Sequence, residues 1–324
     1  MNILITVQNK IPSLLYGGTE RVVWYLGQEL NKLGHKITFL APLGSNCDFA
    51  DIITYNPNLP INSQIPPYID LVHFFDDNLT EEIEKPHIVT IEGNPFLIDI
   101  LNINSVFVSK NHASRYNSSS FVYNGLNWDA YEKPDFNSKR SYFHFLGKAA
   151  WNVKNVKGAI NVILATDNEK LRILGGHRFH PNTFTLSARI KFEGMVNDFE
   201  KSKLMNKSKG LLFPVLWDEP FGLAITESMF FGCPVFGTTY GSLKELINEE
   251  VGYTSNSLYE LKDAILNSES YNKKRCNEYV VEFFNSKKMT LEYLKLYEKV
   301  LKGETLNKDK PHSIDKNKTF EWRE

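Results

Sequence analysis

Residues 2–42, NILITVQNKIPSLLYGGTERVVWYLGQELNKLGHKITFLAP, predict the fold through their alternation of strand and helix patterns. The first run, 2–7, is short, apolar and rich in β-branched residues, as a buried parallel strand should be. Apolar side chains then recur at the spacing of one helix face, at Val22, Val23, Leu26, Leu30 and Leu33. A second apolar run follows at 36–40. The segment therefore predicts a strand–loop–helix–strand unit of a parallel sheet.

The same alternation continues along the chain, stops at the polar segment DAYEKPDFNSKRS, and then starts again. Two such series predict an α/β protein with two Rossmann-like domains, each built on a parallel sheet, facing each other across a cleft. We expect an N-terminal domain over residues 1–135 and a C-terminal domain over 136–285. The remaining segment, 286–324, predicts a helix that can cross back to the first domain, followed by a polar tail.

Composition narrows the function classes. The 324 residues carry a net charge of −1, so there is no overall basic field to attract nucleic acid. Three cysteines without a C-x-x-C pair, and no apolar run of about 20 residues, predict a cytoplasmic protein. Six basic residues between 189 and 209 are interpreted as a solvated face. The alternative is a peripheral contact with the inner face of a membrane.

Two glutamates eight positions apart, Glu219 and Glu227, flank a turn from a buried strand into a helix. Ligands of parallel α/β sheets bind at such turns, where the first amides of a helix attract anions. The amides of Phe221, Gly222 and Leu223 are predicted to bind a pyrophosphate. Glu227 can then accept hydrogen bonds from a ribose diol and Glu219 from a sugar on the other side. The pattern predicts a nucleotide-sugar site.

At this point the sequence resembles the family 4 retaining glycosyltransferases, which have the GT-B fold. WDEPFGLAITESMFFGCPVFGTTYGSLKELI resembles their E-x7-E region. Four further segments resemble family elements in the same order, namely 16–42, 70–77, 122–133 and 145–165. The resemblance implies that the C-terminal domain binds a nucleoside-diphosphate sugar and that the N-terminal domain binds the acceptor.

The resemblance also implies which cations neutralise the leaving diphosphate. The family uses an arginine and a lysine, and Lys148 stands at the arginine position. An ammonium there replaces a bidentate guanidinium, so the phosphate contact differs. Lys157 is the favoured second cation because it precedes Gly158 as in the family, and Lys154 is the alternative because its spacing from Lys148 is commoner.

In the first domain, the resemblance implies that the loop with Gly17 and Gly18 faces the reaction centre and the donor phosphates. Glu92 stands where many family members have a histidine that lines the centre near the transferred sugar. Glu92 is therefore expected to act as a hydrogen-bond acceptor or base. His73 is interpreted as a structural histidine at the end of a strand rather than as a catalytic residue.

The expected function is retaining transfer, with hexosyl transfer favoured, from a UDP- or GDP-sugar to a hydroxyl of a saccharide, a lipid-linked glycan or a small metabolite. Neither a metal nor a cofactor is expected. One alternative is a non-catalytic nucleotide-sugar-binding protein. Another is a glycoside hydrolase with Glu219 and Glu227 as its paired acids. A dinucleotide-dependent oxidoreductase is disfavoured because the first loop lacks G-x-G-x-x-G.

Overall fold

The computed structural model describes residues 1–13, 17–77, 79–95, 99–178, 183–314 and 318–324. The chain divides into two compact units. Unit 1 comprises Met1–Asn127 and Phe284–Lys316, and unit 2 comprises Trp128–Phe283 and Asn317–Glu324. No helix among the described residues is long and apolar enough to cross a bilayer.

Unit 1 contains a six-stranded sheet in the order β3-β2-β1-β4-β5-β6, and every neighbouring pair is parallel. Its strands are β1 Asn2–Thr6, β2 Lys36–Ala41, β3 Asp51–Thr54, β4 Leu71–Phe75, β5 His87–Ile91 and β6 Ser105–Phe107. Its helices are α1 Gly18–Lys32, α2 Lys110–Arg115 and α9 Ser286–Leu301. Helix α9 packs against α1 and β5.

Unit 2 repeats this plan with the order β12-β11-β10-β7-β8-β9, again with parallel neighbours. Its strands are β7 Tyr142–Leu146, β8 Leu171–Leu174, β9 Ile190–Gly194, β10 Ser208–Phe213, β11 Val235–Gly237 and β12 Gly252–Thr254. Its helices are α3 Val156–Leu164, α4 Asp198–Asn206, α5 Leu223–Phe230, α6 Leu243–Leu246, α7 Leu258–Leu266 and α8 Lys273–Phe283. The prediction of two Rossmann-like α/β domains is confirmed.

The two compact units divide between residues 127 and 128, whereas the polar composition of 129–141 predicts a domain boundary between 135 and 136. Polar residues after Asn127 are not a free linker, because two aromatic side chains among them pack on unit 2. The ring of Trp128 stacks on Phe230 with centroids 4.6 Å apart, and Tyr131 lies edge-on to the same ring at 5.7 Å. The polar composition of this segment predicts a linker, but it does not show that the two aromatic rings pack on Phe230.

A buried polar network ties α9 to the sheet of unit 1. His73 is fully buried, with Nδ1 2.8 Å from the Tyr297 hydroxyl and Nε2 2.7 Å from Thr90 Oγ1. Tyr293 Oη lies 3.0 Å from the same threonine oxygen. Burial holds the pKa of His73 well below its usual value. Both ring nitrogens are therefore used inside the fold, which agrees with a structural role for this histidine.

Candidate functional site

The loop between β10 and α5 carries the first of the two glutamates. Gly222 caps α5 with φ +90° and ψ 68°, a left-handed conformation that glycine adopts without steric cost. A Cβ at this position would lie 3.0 Å from Ile225 Cδ1 and 3.3 Å from Glu219 Cγ. The chain can therefore turn sharply into the helix while Glu219 packs against the turn.

Glu219 forms a buried ion pair with Lys154. Its Oε2 atom lies 2.6 Å from Lys154 Nζ and accepts a 2.7 Å hydrogen bond from Trp217 Nε1. The two charged side chains are only 8% and 10% exposed, so water does little to screen the pair. The Lys154 ammonium also lies 4.5 Å from the centroid of the Trp217 ring and 5.3 Å from that of Phe213. This cation is thus fixed by a carboxylate and two aromatic rings.

The turn that carries Lys154 is held to the β10–α5 side of the sheet by Asn155. This residue caps α3 with φ +48°, and its side chain accepts a 3.0 Å hydrogen bond from Gly158 N. Its Nδ2 atom donates to Pro214 O at 2.9 Å. A Cβ at Gly158 would overlap the Asn155 amide. The glycine therefore belongs to the cap that positions Lys154.

The other two candidate cations, Lys148 and Lys157, are exposed side chains of unit 2. Lys157 is exposed on α3, and no contact with either glutamate is found within the described ranges. Lys148 is exposed in the loop after β7, with its Nζ 4.7 Å from the centroid of the Trp151 ring. The structure thus brings Lys154 to Glu219 and does not bring Lys157 there. The preference for Lys157 followed the glycine beside it, which has the capping role described above.

Glu227, in the second turn of α5, has a buried lysine of its own. Its Oε1 atom lies 2.6 Å from Lys201 Nζ and accepts a 2.8 Å hydrogen bond from the Tyr131 hydroxyl. The side chains of Glu227 and Lys201 are each 9% exposed. Lys201 also lies 3.1 Å from Asp198 Oδ1. The two glutamates of E-x7-E are therefore both neutralised by buried lysines, one from the β7–α3 turn and one from α4.

The basic segment from 189 to 209 is not one solvated face, as the sequence had suggested. Lys201 is buried against Glu227, and Lys209 Nζ lies 2.7 Å from Glu169 Oε1. Arg189 donates through Nη1 to Thr166 O at 2.7 Å. Three of the six basic side chains therefore bind groups of unit 2. They do not contribute to an anion-binding patch on the surface.

The main chain at the start of α5 is the other component of the site. Leu223 is the first residue of this eight-residue helix, and Phe221 and Gly222 immediately precede it. First-turn amides of an α-helix have no acceptor within the helix and lie at its positive end. Phe221 is buried, and its carbonyl accepts a 2.7 Å hydrogen bond from Ser242 Oγ. The anion-attracting helix end therefore lies in the same loop as Glu219, and Lys154 reaches that loop from the β7–α3 turn.

In unit 1, only one of the two carboxyl oxygens of Glu92 has a hydrogen-bond partner among the described residues. Its Oε2 accepts a 2.8 Å hydrogen bond from Asn124 Nδ2, and its main-chain amide donates to Asp77 Oδ1 at 2.8 Å. Glu92 Oε1 and Asn124 Oδ1 are buried and have no hydrogen-bond partner among the described residues. Burial raises the pKa of Glu92 to about 8, and the charges of Asp77 and Glu20 add to the rise.

Gly17 and Gly18 lie at the start of α1 in the same unit. A Cβ at Gly17 would lie 2.5 Å from Oε2 of Glu20, whose Oε1 accepts a hydrogen bond from Asn9 Nδ2 at 2.5 Å. The absence of a side chain at Gly17 therefore leaves room for the Glu20 carboxylate. Gly17 therefore has a packing role at the start of α1.

Three side chains that contact the glutamates were missed in the sequence. Trp217 lies two residues before Glu219, so its position beside this glutamate could be predicted from the spacing. Tyr131 lies in the polar segment that was interpreted as a linker, and Lys201 lies in the basic segment that was interpreted as solvated. Neither carries a local signal, because each reaches Glu227 only through the packing of unit 2.

Comparison with known proteins places this geometry in context. Residues 127–280 match the family described as glycosyl transferases group 1. No curated protein matches the sequence. Among solved structures, AviGT4, a glycosyltransferase involved in avilamycin A biosynthesis, is 18% identical with a TM-score of 0.78, covering 94% of this chain and 99% of that one.

Two further solved structures are similar. Sucrose-phosphate synthase from Thermosynechococcus elongatus is 16% identical, with a TM-score of 0.75, covering 94% of this chain and 100% of that one. HepE from Anabaena, in complex with UDP and glucose, is 15% identical, with a TM-score of 0.66, covering 92% of this chain and 99% of that one. At these identities the likeness shows the fold, which is the GT-B fold of glycosyltransferases. The family match over unit 2 supports the glycosyltransferase class.

Proposed function

We propose that this protein is a retaining glycosyltransferase of family 4 that moves a sugar from a nucleoside-diphosphate sugar to an acceptor hydroxyl. The observation that carries the proposal is the buried pair of Lys154 with Glu219, which places a cation and a carboxylate beside the loop that leads into α5. A cation, a carboxylate and helix amides together suit a ligand that joins a diphosphate to a polyhydroxylated ring. HepE, of the same fold, is described as bound to UDP and to UDP-glucose, which supports this ligand class.

In this proposal Lys154, rather than Lys157, acts with Lys148 on the leaving diphosphate. A lysine ammonium has three N–H donors, and its bond to Glu219 uses one of them. The remaining donors can bind phosphate oxygens together with the amides of Phe221, Gly222 and Leu223. Positive groups fixed before the reaction stabilise the charge that develops as the diphosphate leaves.

The two glutamates bind different parts of the donor in this proposal. Glu219 is assigned to hydroxyls of the transferred sugar and Glu227 to the ribose diol. Lys201 and Tyr131 both bind Oε1 of Glu227, so they fix the orientation of this carboxylate. A carboxylate held by two partners loses little side-chain freedom when a ribose binds.

The chemical step breaks the bond between the anomeric carbon and the diphosphate oxygen. The acceptor hydroxyl forms the new bond on the same face, and its proton passes to an oxygen of the departing diphosphate. Glu92 in unit 1 is assigned to a hydroxyl at the reaction centre, because its Oε1 and the neighbouring Asn124 Oδ1 are buried without partners in the described part of the chain. Gly17 and Gly18 are assigned to the same region. Saccharides, lipid-linked glycans and small metabolites are the candidate acceptors, and hexosyl transfer in the cytoplasm is proposed.

A thermal-shift panel of UDP, GDP, ADP and their glucose derivatives tests the donor assignment. A ligand at about 100 times its Kd stabilises the folded state by about 2.7 kcal/mol, so the true nucleotide should stand out. Lys154→Met should abolish the shift, and Lys157→Met should keep it. Release of nucleoside diphosphate separates an enzyme from a non-catalytic binder. Product with the anomeric configuration of the donor supports retention, and inverted product excludes it.

A further inference from the structure

The last described residues, Lys318–Glu324, form a strap on unit 2. Arg323 N donates to Asn256 O at 2.9 Å, and Leu258 N donates to Arg323 O at 2.8 Å. The Tyr240 hydroxyl accepts a 2.6 Å hydrogen bond from Glu321 N, and the Tyr240 ring meets Phe320 edge to face at 4.9 Å. Main-chain and ring contacts together fix this segment, for which the sequence predicts only a polar tail.

The first residue of the strap reaches the candidate donor loop, residues 217–222. Lys318 Nζ lies 2.7 Å from Asp218 Oδ1, where the lysine side chain is 34% exposed and the aspartate only 9%. The ammonium also lies 5.7 Å from the centroid of the Tyr240 ring and 5.5 Å from that of Phe320. Lys318 therefore brings a cation to a buried carboxylate that directly precedes Glu219 in the chain.

Asp218 also connects Lys318 to the main chain around the donor loop. Its Oδ1 also accepts a 3.0 Å hydrogen bond from Gly241 N, and Gly241 has φ +61°. A Cβ at Gly241 would overlap the main-chain atoms of Glu219. Ser242 N donates to Glu219 O at 2.9 Å. The donor loop is thus hydrogen-bonded to residues 241–242, and the Asp218 carboxylate binds both Gly241 and Lys318 of the strap.

We propose that Lys318 is a positioning residue for the donor loop, which it holds through Asp218 in the conformation that binds a nucleoside diphosphate. The proposal rests on the donor site proposed above. Without the lysine, the buried carboxylate of Asp218 loses this positive partner, which favours a conformation turned toward water. That movement would break the hydrogen bond to Gly241 N and shift the main chain of Glu219. Lys318 would thus affect donor binding without contacting the donor itself.

The test compares Lys318→Met with Lys318→Arg and with Lys308→Met, an exposed lysine in unit 1 that serves as the matched control. Calorimetry measures the Kd of UDP, GDP and ADP, and hydrogen exchange measures the amides of residues 217–222 and 241–242. Lys318→Met should weaken binding of the preferred nucleotide about two- to fivefold, as expected for a partly exposed ion pair. It should also speed exchange at Gly241 and Ser242. Lys318→Arg should restore both values, and Lys308→Met should equal the wild type.

The two readouts separate this proposal from the proposed function. If the wild type binds none of the three nucleotides, the donor site is wrong, and the exchange data alone then decide whether Lys318 holds the loop. If the wild type binds a nucleotide and Lys318→Met matches it in affinity and exchange, the positioning role is overturned. The role is also overturned if exchange rises throughout unit 2, or if Lys318→Arg is as weak as Lys318→Met.

Discussion

The Nζ atom of Lys154 lies 2.6 Å from Oε2 of Glu219, and both side chains are nearly excluded from water. A buried ion pair of this kind is costly to break, because either partner alone would remain as an uncompensated charge. The pair therefore fixes the β7–α3 turn against the β10–α5 loop before any ligand binds. In the proposed enzyme, this fixes a cation for the diphosphate and a carboxylate for the sugar relative to each other.

Lys154 and Lys157 provide a matched pair for the first prediction. Lys154→Met removes the buried cation and should lower turnover by at least a hundredfold, since one fixed group at a developing charge contributes about 3 kcal/mol or more. It should also destabilise the fold by about 3 kcal/mol, because Glu219 stays buried without its partner. Lys157→Met removes an exposed cation and should change neither quantity. Steady-state rates and urea unfolding of both variants check this.

A double variant separates the two effects of Lys154. Lys154→Met with Glu219→Gln leaves no uncompensated charge, so most of the lost stability should return, while turnover should stay well below that of Glu219→Gln alone. A double variant with the turnover of Glu219→Gln alone would mean that Lys154 has only a structural role.

Lys148 is the subject of the second prediction. Its ammonium is exposed beside the Trp151 ring, so its removal should cost little stability. Lys148→Ala should nevertheless weaken turnover severely, because the diphosphate loses a positive charge. Lys148→Arg should retain or improve turnover through a bidentate contact. Rates measured at saturating donor provide the check, and unchanged turnover of Lys148→Ala would remove this lysine from the donor site.

The sequence was a better guide to the fold than to the partners of its charges. Strand and helix periodicity depend on neighbouring residues, so the two parallel sheets could be predicted from local pattern alone. The pairing of Lys201 with Glu227 depends on how α4 packs against α5, which no local pattern encodes. Lys154 was placed second to Lys157 because a glycine beside Lys157 resembled the family. That glycine instead accommodates the side chain of Asn155, and the αL conformation of Asn155 became visible only in three dimensions.

The third prediction distinguishes the two glutamates. Glu227 is assigned to the ribose, which is bound equally in the ground and transition states. Glu227→Ala should therefore raise the donor KM, by about ten- to a hundredfold for a charge-assisted hydrogen bond, with a smaller effect on kcat. Glu219 is assigned to the sugar that gains positive charge, so Glu219→Ala should lower kcat steeply while nucleoside diphosphate still binds. Steady-state kinetics with separate nucleotide binding checks both, and the opposite pattern would reverse the assignment.

Lys201 gives the ribose assignment its own control. Lys201→Met should raise the donor KM in the same direction as Glu227→Ala, because it removes the group that orients the carboxylate. If Lys201→Met loses stability but keeps the wild-type KM, the pair with Glu227 serves the fold of unit 2 rather than the donor.

The final prediction concerns the pH dependence caused by Glu92. Its pKa is raised from 4.5 to about 8, so between these values the folded state holds a proton that the unfolded state has lost. Stability should therefore fall as pH rises through this window, by at most about 1.4 kcal/mol per pH unit, and level off above it. Glu92→Gln cannot ionise, so its stability relative to the wild type should increase from pH 5 to pH 8. Urea unfolding at several pH values measures this, with the exposed Glu84→Gln as a control that should show no such trend.

Glu92→Gln should also impair transfer to the acceptor more than it impairs nucleotide binding, because Glu92 lies in unit 1. A flat stability difference with normal transfer would leave Glu92 as a packing residue.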